Sequence, residues 1–317
     1  MEKIVISDLD HANIDAELDV FKQHSIEFNP DSDWRAAVSD QDIIDTCGDA
    51  AVLCIQYGNI TRRVMESLPN LKQIVRYGVG YDTVDVVSAK ELGVEVCNVP
   101  DYGTSEVADH AVALTLWLHR KLYMTNRDIR NGRWNYIDTI PVKRLSETTV
   151  GIIGLGRIGT AYATRMHAFG SRIIAEDDRL VAHPNYVTMV SLEKLLQESD
   201  IISIHCPADH AQNLIGSAEF AQMKPDAILI NVSRGGIVDE DALEVALATN
   251  QIAGCGLDVA KNEPLPKGHP LLKHDNLLIS PHMAWYSEES AYELKRKVAE
   301  EAARFVNGEA VQYSVIP

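Results

Sequence analysis

The chain has 317 residues, enough for two packed domains, because single cores usually stop growing before about 250–300 residues. Its composition is that of an ordinary globular protein, 46% hydrophobic and 24% charged with few aromatics, and a formal net charge of −17 works against nucleic acid or an anionic lipid surface as partner. No run approaches the roughly 18 uninterrupted apolar residues of a membrane span. The five cysteines, Cys47, Cys54, Cys97, Cys206 and Cys255, have no C-x-x-C spacing and read as small buried hydrophobes in a reducing, cytoplasmic compartment rather than as disulfides or zinc ligands.

In chain order, "MEKIVISDLD" reads as a first strand and not as a secretion signal. Further β-branched runs follow, each separated from the next by a helical pattern: "AAVLCI", "QIVRYG" and "VEVCNV", then "TVGIIGLG", "RIIAED", "DIISIHC", "AILINVS", "IAGCGLDV" and "NLLIS". Several are continuously apolar, as strands buried on both faces of a parallel sheet are. The expected fold class is therefore α/β, with two doubly wound parallel-sheet domains. Between the two sets lies "TSEVADHAVALTLWLHRKLYMTNRDIRNGRW". It is apolar on more than one side, which makes the helix around 104–122 the candidate contact of a homodimer. The polar helix near the end, "EESAYELKRKVAEEAARFVNGE", is expected to return to the first domain. The chain then crosses between domains near 99–103 and 285–288, giving a domain of 1–99 plus 287–317 and a second of 100–286.

In "TVGIIGLGRIGTAYATRMHAFGSRIIAEDD" the glycines Gly154, Gly156 and Gly159 follow a strand and open a helix, and the next strand ends in acids, with Asp177 18 residues past Gly159. Each has a physical task in a dinucleotide site of Rossmann type. Gly154 makes the tight turn, Gly156 admits the pyrophosphate, Gly159 lets helix and strand pack closely, and the helix start at Arg157 and Ile158 supplies free N–H groups to the anion. Asp177 stands where a carboxylate accepts the ribose hydroxyls and repels a 2′-phosphate, favouring NAD over NADP. Glu176 and Asp178 read as solvated acids, and Arg172 and Arg179 lie near in sequence.

A nicotinamide cofactor carries hydride, while the protein must hold a carbonyl substrate and manage one proton. Three strand ends supply suitable groups: "NVSRGGIVDE" has Arg234, "GLDVAKNEP" has Asp258 and Glu263, and "SPHMAWYS" has His282. In a doubly wound sheet such ends collect in one crevice. His282 would exchange the proton, Glu263 would hold its imidazole, and the Arg234 guanidinium would clamp the substrate carboxylate and polarise the carbonyl. Asp258 is expected on the cofactor side. From position alone, an Arg234–Glu263 ion pair without catalytic consequence and a His282 that only caps a loop remain open. No metal-ligating pattern is present.

Together, "NVSRGGIVDEDAL", "GCGLDVAKNEP", "SPHMAW" and the glycine loop resemble the D-isomer-specific 2-hydroxyacid dehydrogenases, nearest to their C-terminal-binding-protein-like and phosphoglycerate-dehydrogenase-like subgroup. The segments "IVRYGVGYDTVD" and "NVPDYGTSEVADHA" are similar to the same family, and the match covers most of residues 70–290. The resemblance implies an NAD domain and a flavodoxin-like substrate domain with the active site in the cleft between them. It also implies hydride transfer between NAD(H) and a small D-2-hydroxy acid or 2-oxo acid of the lactate, glycerate, hydroxypyruvate or 3-phosphoglycerate type. Arg234, Glu263 and His282 would form the catalytic set. Val79 and Gly80 would bind the substrate carboxylate through backbone N–H groups, with Arg76, Tyr102 and Trp285 beside it. The cofactor set would include Cys206, Pro207, Val232, Ser233, Asp258 and Ala284. In "HCPADHAQNLIG" the customary threonines are missing, so that contact transfers only as far as Cys206 and Pro207. Glu263 stands where the related formate dehydrogenases carry glutamine. A dimeric NAD(H)-sensing binding protein with little turnover is the alternative of a different class.

Overall fold

The computed structural model describes residues 2–35, 37, 39–179, 182–207 and 211–316; residues 208–210 of the "HCPADHAQNLIG" stretch lie outside them. The chain divides into two compact units, one running to Tyr102 and resuming at Ser287, the other spanning Gly103–Tyr286. Residues 100–102, expected in the second domain, stay with the first. The Val99 N–H donates to the Gly78 carbonyl (3.0 Å) and Asp101 pairs with Lys297 (2.7 Å), so the segment is tied from both sides.

The first unit is a parallel sheet in the order β1-β2-β3-β4, comprising Ile4–Ile6, Val52–Ile55, Gln73–Arg76 and Glu95–Cys97. A further segment pairs outside β1 through a single bridge, Ile6 to Trp34. Since Trp34 lies between β1 and β2 in sequence, the spatial order is the flavodoxin-like 2-1-3-4-5. β1 and β2 are apolar and buried at every position, because helices cover both faces. One face meets the helices Asp40–Thr46, Arg62–Ser67 and Val86–Leu92, which contribute Ile43, Val64, Met65 and Ala89 to the core around Leu53, Ile55 and Ile74. On the other, the helix Asp15–Gln23 packs against Glu288–Val306, the late helix that returns to this unit. An antiparallel bridge from Cys97 to Ser314 closes the β4 edge.

The second unit is a seven-stranded parallel sheet in the order β11-β10-β9-β8-β5-β6-β7. Its strands are β5 Thr149–Ile153, β6 Arg172–Glu176, β7 Val187–Met189, β8 Ile201–Ile204, β9 Ile228–Asn231, β10 Gly254–Leu257 and β11 Leu277–Ile279. This is the doubly wound order with its switch point between β5 and β8. β7 is absent from the sequence-based expectation because it is three residues long and only Val187 is buried. The helix Thr104–His119 lies on its own sheet, burying Val107, Ala108, Ala111, Leu114 and Leu118. A side chain at Gly256 would come within 3.1 Å of Leu114, so the glycine is what lets helix and strand approach. The helix stops at Lys121, which takes a left-handed φ of 50°, and a second helix, Leu122–Arg130, starts there. Among the described residues no helix is long and apolar enough to cross a membrane.

Glu17, on the buried side of the helix Asp15–Gln23, is fully enclosed. Burial pushes its carboxyl up to about 7, against the opposing effects of a 3.0 Å hydrogen bond from the Tyr77 hydroxyl and the charge of Lys295. An acid whose pKa is raised by folding holds its proton longer in the native state. Its contribution to stability is therefore complete below about pH 4.5 and is lost as pH rises through 7. Glu17→Gln should match the wild type in urea melts near pH 4.5 and exceed it by roughly 1–3 kcal/mol at pH 8.

Candidate active site

Because β9, β10 and β11 are adjacent and parallel, their carboxyl ends emerge side by side, and the loops that follow them carry Arg234, Glu263 and His282. The first loop is shaped by Asn231, which is fully buried. Its amide oxygen accepts the Ser233 N–H (3.0 Å) and its amide nitrogen donates to the Arg234 carbonyl (2.8 Å). Next comes Gly235, where a Cβ would lie 1.9 Å from the Ala260 carbonyl carbon. Only glycine lets this loop close on the one carrying Glu263. Glu263 in turn accepts the Ala260 N–H (2.9 Å) through one oxygen and binds His282 Nδ1 (2.6 Å) through the other.

Partial burial works to raise the Glu263 pKa. The His282 hydrogen bond and charge, the Ala260 N–H and the nearby Arg234 guanidinium outweigh it and hold the carboxyl below its ordinary range. Glu263 is thus an anion that fixes the imidazole by Nδ1, with Nε2 on the other side of the ring. The carboxylate bonds His282 and also feels the charge of Arg234.

His282 has a left-handed φ of 55°, a conformation a non-glycine residue holds only under constraint. The constraint comes from Asp258. Its carbonyl accepts the His282 N–H (2.7 Å), and its carboxylate accepts the N–H groups of Met283 (3.0 Å) and Ala284 (2.8 Å) and the Ser280 hydroxyl (2.6 Å). Expected on the cofactor side, Asp258 is 1% exposed and has both oxygens committed to this strap. His110 completes the arrangement, with Nε2 at 2.8 Å from the Ser280 hydroxyl and 3.6 Å from Asp258. Ser280 and His110 lie inside the segments "SPHMAW" and "NVPDYGTSEVADHA", but the bond between them has no sequence signal. Trp285 packs into the apolar cluster of this unit, against the backbone at Gly103, with its ring edge-on to Tyr286.

The loop after β5 turns at Gly154, with φ 88°, where a Cβ would strike the Cys206 backbone at 2.5 Å. Gly159 sits so close to Gly154 that a Cβ would lie 2.1 Å from its carbonyl oxygen. Among the described residues only Arg179 would come within 4 Å of a Cβ placed at Gly156 (3.9 Å), so the backbone before the helix Arg157–Ala168 is open on that side. A glycine turn, an open approach and the unpaired N–H groups at a helix start fit a pyrophosphate. Cys206 and Pro207 follow β8 beside this turn, and the Ser233 hydroxyl donates to the Cys206 carbonyl, joining the loops after β8 and β9. Val232 is buried in the core beneath. Burial pushes the Cys206 thiol up to about 11, which keeps it protonated near neutral pH.

Asp177 ends β6. Burial acts to raise its pKa, but Arg179 and the Leu155 N–H prevail and keep it low. Its carboxylate accepts the Leu155 N–H (2.7 Å) and the Arg179 N–H (3.0 Å) and Nε (3.2 Å). Glu176 is not the solvated acid expected, since partial burial and the neighbouring acids raise its pKa. Arg172 stands at the opposite end of β6, paired with Glu198 (2.8 Å).

Arg76, Val79, Gly80 and Tyr102 belong to the first unit. Arg76 ends β3 and lies over Gly78, whose φ of 140° and lack of side chain give the guanidinium its place. Tyr102 is 9% exposed.

The family model "D-isomer specific 2-hydroxyacid dehydrogenase, NAD binding domain" matches residues 112–284. The glyoxylate reductase of Korarchaeum cryptofilum is 38% identical over 289 residues, covering 87% of this chain and 86% of its own. That of Thermofilum pendens is 39% identical, covering 80% and 76%. Among solved structures, D-lactate dehydrogenase from Aquifex aeolicus, complexed with NAD and lactic acid, is similar with a TM-score of 0.89 at 25% identity, covering 99% of each chain. Fold, nucleotide loop and relatives define an NAD-dependent oxidoreductase. The chain belongs to the D-isomer specific 2-hydroxyacid dehydrogenase family.

Asp258→Asn keeps the shape but replaces an acceptor with a donor that faces the strap N–H groups. A buried mismatch of this kind costs about 1–3 kcal/mol, so turnover should fall roughly 10–100-fold in steady-state assays, with the second unit still folded by circular dichroism.

Proposed function

We propose that this protein reduces small 2-oxo acids to D-2-hydroxy acids with NADH and runs the reverse reaction with NAD. Its substrates are of the glyoxylate, pyruvate and hydroxypyruvate type, and 3-phosphohydroxypyruvate completes the range. The observation that carries this reading is the His282–Glu263 hydrogen bond beside Arg234, at the carboxyl edge of the sheet that bears the nucleotide loop. The names of the 38–39% identical relatives support glyoxylate as the first substrate to try.

When bound, the nicotinamide supplies or accepts the hydride. The first turn of the helix Arg157–Ala168 holds the pyrophosphate, and Asp177 lies beside the adenosine ribose. Val79 and Gly80 hold the substrate carboxylate by backbone N–H groups, while Arg234 opposes the negative charge that grows on the carbonyl oxygen. His282 gives its Nε2 proton to that oxygen in reduction and takes it back in oxidation. Glu263 fixes the ring and stabilises the imidazolium. Tyr102 and Trp285 border the substrate side chain. All five cysteines are free, which fits a reducing cytoplasmic setting.

The chain acts as a homodimer in this reading. Its contact runs from the helix around 104–122 into the segment after it, where Leu122, Ile129, Trp134, Tyr136, Ile137 and Ile140 are exposed, Trp134 by 89%. So much clustered apolar surface is what a second copy would cover.

Steady-state reduction of the four named 2-oxo acids with NADH is the test. Turnover on none of them, together with a change of oligomer size on adding NADH, would replace this reading with that of a nucleotide sensor. His282→Ala should lower kcat by roughly 10²–10⁴-fold while NADH affinity, followed by fluorescence titration, stays within about threefold, since no dinucleotide contact is removed. Trp134→Glu should shift the protein from dimer to monomer mass in light scattering after gel filtration.

A further inference from the structure

In the first unit, the loop joining β3 to the next helix runs through Gly78, Val79 and Gly80, and the residues just past β4 lie beside it. Two hydrogen bonds join them. The Val99 N–H donates to the Gly78 carbonyl (3.0 Å), and the Asn98 side-chain amide donates to the Val79 carbonyl (2.6 Å). In a trans peptide the C=O and N–H point in opposite directions. Pinning the Gly78 carbonyl therefore aims the Val79 N–H away from β4, and pinning the Val79 carbonyl aims the Gly80 N–H the same way. Among the described residues neither N–H has an acceptor in the protein. The result is two adjacent donors facing outward together, which is how a backbone nest receives an anion.

The two pins differ in kind. Val99 acts through its backbone, which any residue but proline provides, whereas the second depends on one side chain. Asn98 is 7% exposed and its own N–H donates to the Tyr313 carbonyl (3.2 Å), so its amide is fixed before it reaches the loop. We infer that Asn98 is a positioning residue for substrate: by holding the Val79 carbonyl inward it keeps the Gly80 N–H directed at the carboxylate of the 2-oxo acid, and so sets the preference for acids over neutral carbonyl compounds. This rests on the function proposed above. Asn98 itself touches no substrate. Without its donor, the Val79–Gly80 peptide is free to rotate and can present a carbonyl oxygen to the carboxylate.

Both N–H groups bind a carboxylate that does not react, so their loss weakens ground state and transition state alike and is read in KM rather than kcat. The experiment compares wild type, Asn98→Ala and Asn98→Asp on pyruvate and on pyruvamide, its neutral carboxamide, with NADH affinity measured by fluorescence. The expected result is a pyruvate KM raised about 10-fold or more, as for loss of one charge-assisted hydrogen bond. kcat and NADH affinity should stay within about threefold, and the acid-to-amide preference should fall by the same factor as KM rises. Asn98→Asp, nearly isosteric but facing the Val79 carbonyl with a second acceptor, should be the more severe, and it carries the test if Asn98→Ala does not fold. Variants that keep the wild-type KM and acid-to-amide ratio overturn the inference. So do variants that lose both substrates and NADH affinity equally, because a purely structural role would do that. Wild-type protein inactive on every 2-oxo acid would instead fail the proposed function, and the two failures are distinct.

Discussion

Much of the second unit's chemistry depends on one buried carboxylate. Asp258 follows β10 directly, and through its carbonyl and both side-chain oxygens it gathers the backbone of His282, Met283 and Ala284. Those bonds hold His282 in a left-handed conformation that a free chain would leave. With the backbone held there, the imidazole reaches Glu263 at 2.6 Å, and Glu263 is in turn seated on the Ala260 N–H three residues before it. An aspartate inside the strap thus controls a histidine outside it. Three donors converge on its two side-chain oxygens.

A second theme is that, under the proposed function, anions would be met by main chain before cations. The net charge of −17 gives this protein no long-range attraction for a carboxylate or a pyrophosphate. Local N–H dipoles take over at short range: the helix start after Gly156 and the pair at Val79 and Gly80. Both sites need glycine, for related reasons. Gly154 and Gly159 remove side chains where backbones nearly touch, and Gly78 leaves room for the Arg76 guanidinium. Gly235, next to Arg234, allows that loop to lie against the one carrying Glu263.

Some of this is written locally in the chain and some is not. The glycine loop could be read because strand, turn and helix start are consecutive, and the geometry each glycine needs is set by its immediate neighbours. The continuous apolar strands could be read because both faces of a parallel sheet are covered. β7 could not, being short and mostly exposed at the sheet edge. Nor could the Trp34 segment, which joins the first sheet by one bridge. Asp258 could be singled out, but its strap could not, since sequence fixes that a carboxylate follows the strand and not which backbone N–H groups it will accept. His110, Ser280 and Asn98 lie inside segments with a signal of their own, but nothing in those segments says which partner each takes, because that partner is 19 or 170 residues away.

The amino-acid order alone therefore determined the two α/β sheets, the nucleotide loop and which residue types end β9, β10 and β11. Tertiary structure decided that Glu263 takes His282, that Asp258 accepts the strap N–H groups, and that the Asn98 amide donates to the Val79 carbonyl. The physical reason is range. Periodicity and glycine conformation are properties of a few consecutive residues, whereas a hydrogen-bond partner is chosen by the parallel packing of strands that are tens of residues apart along the chain.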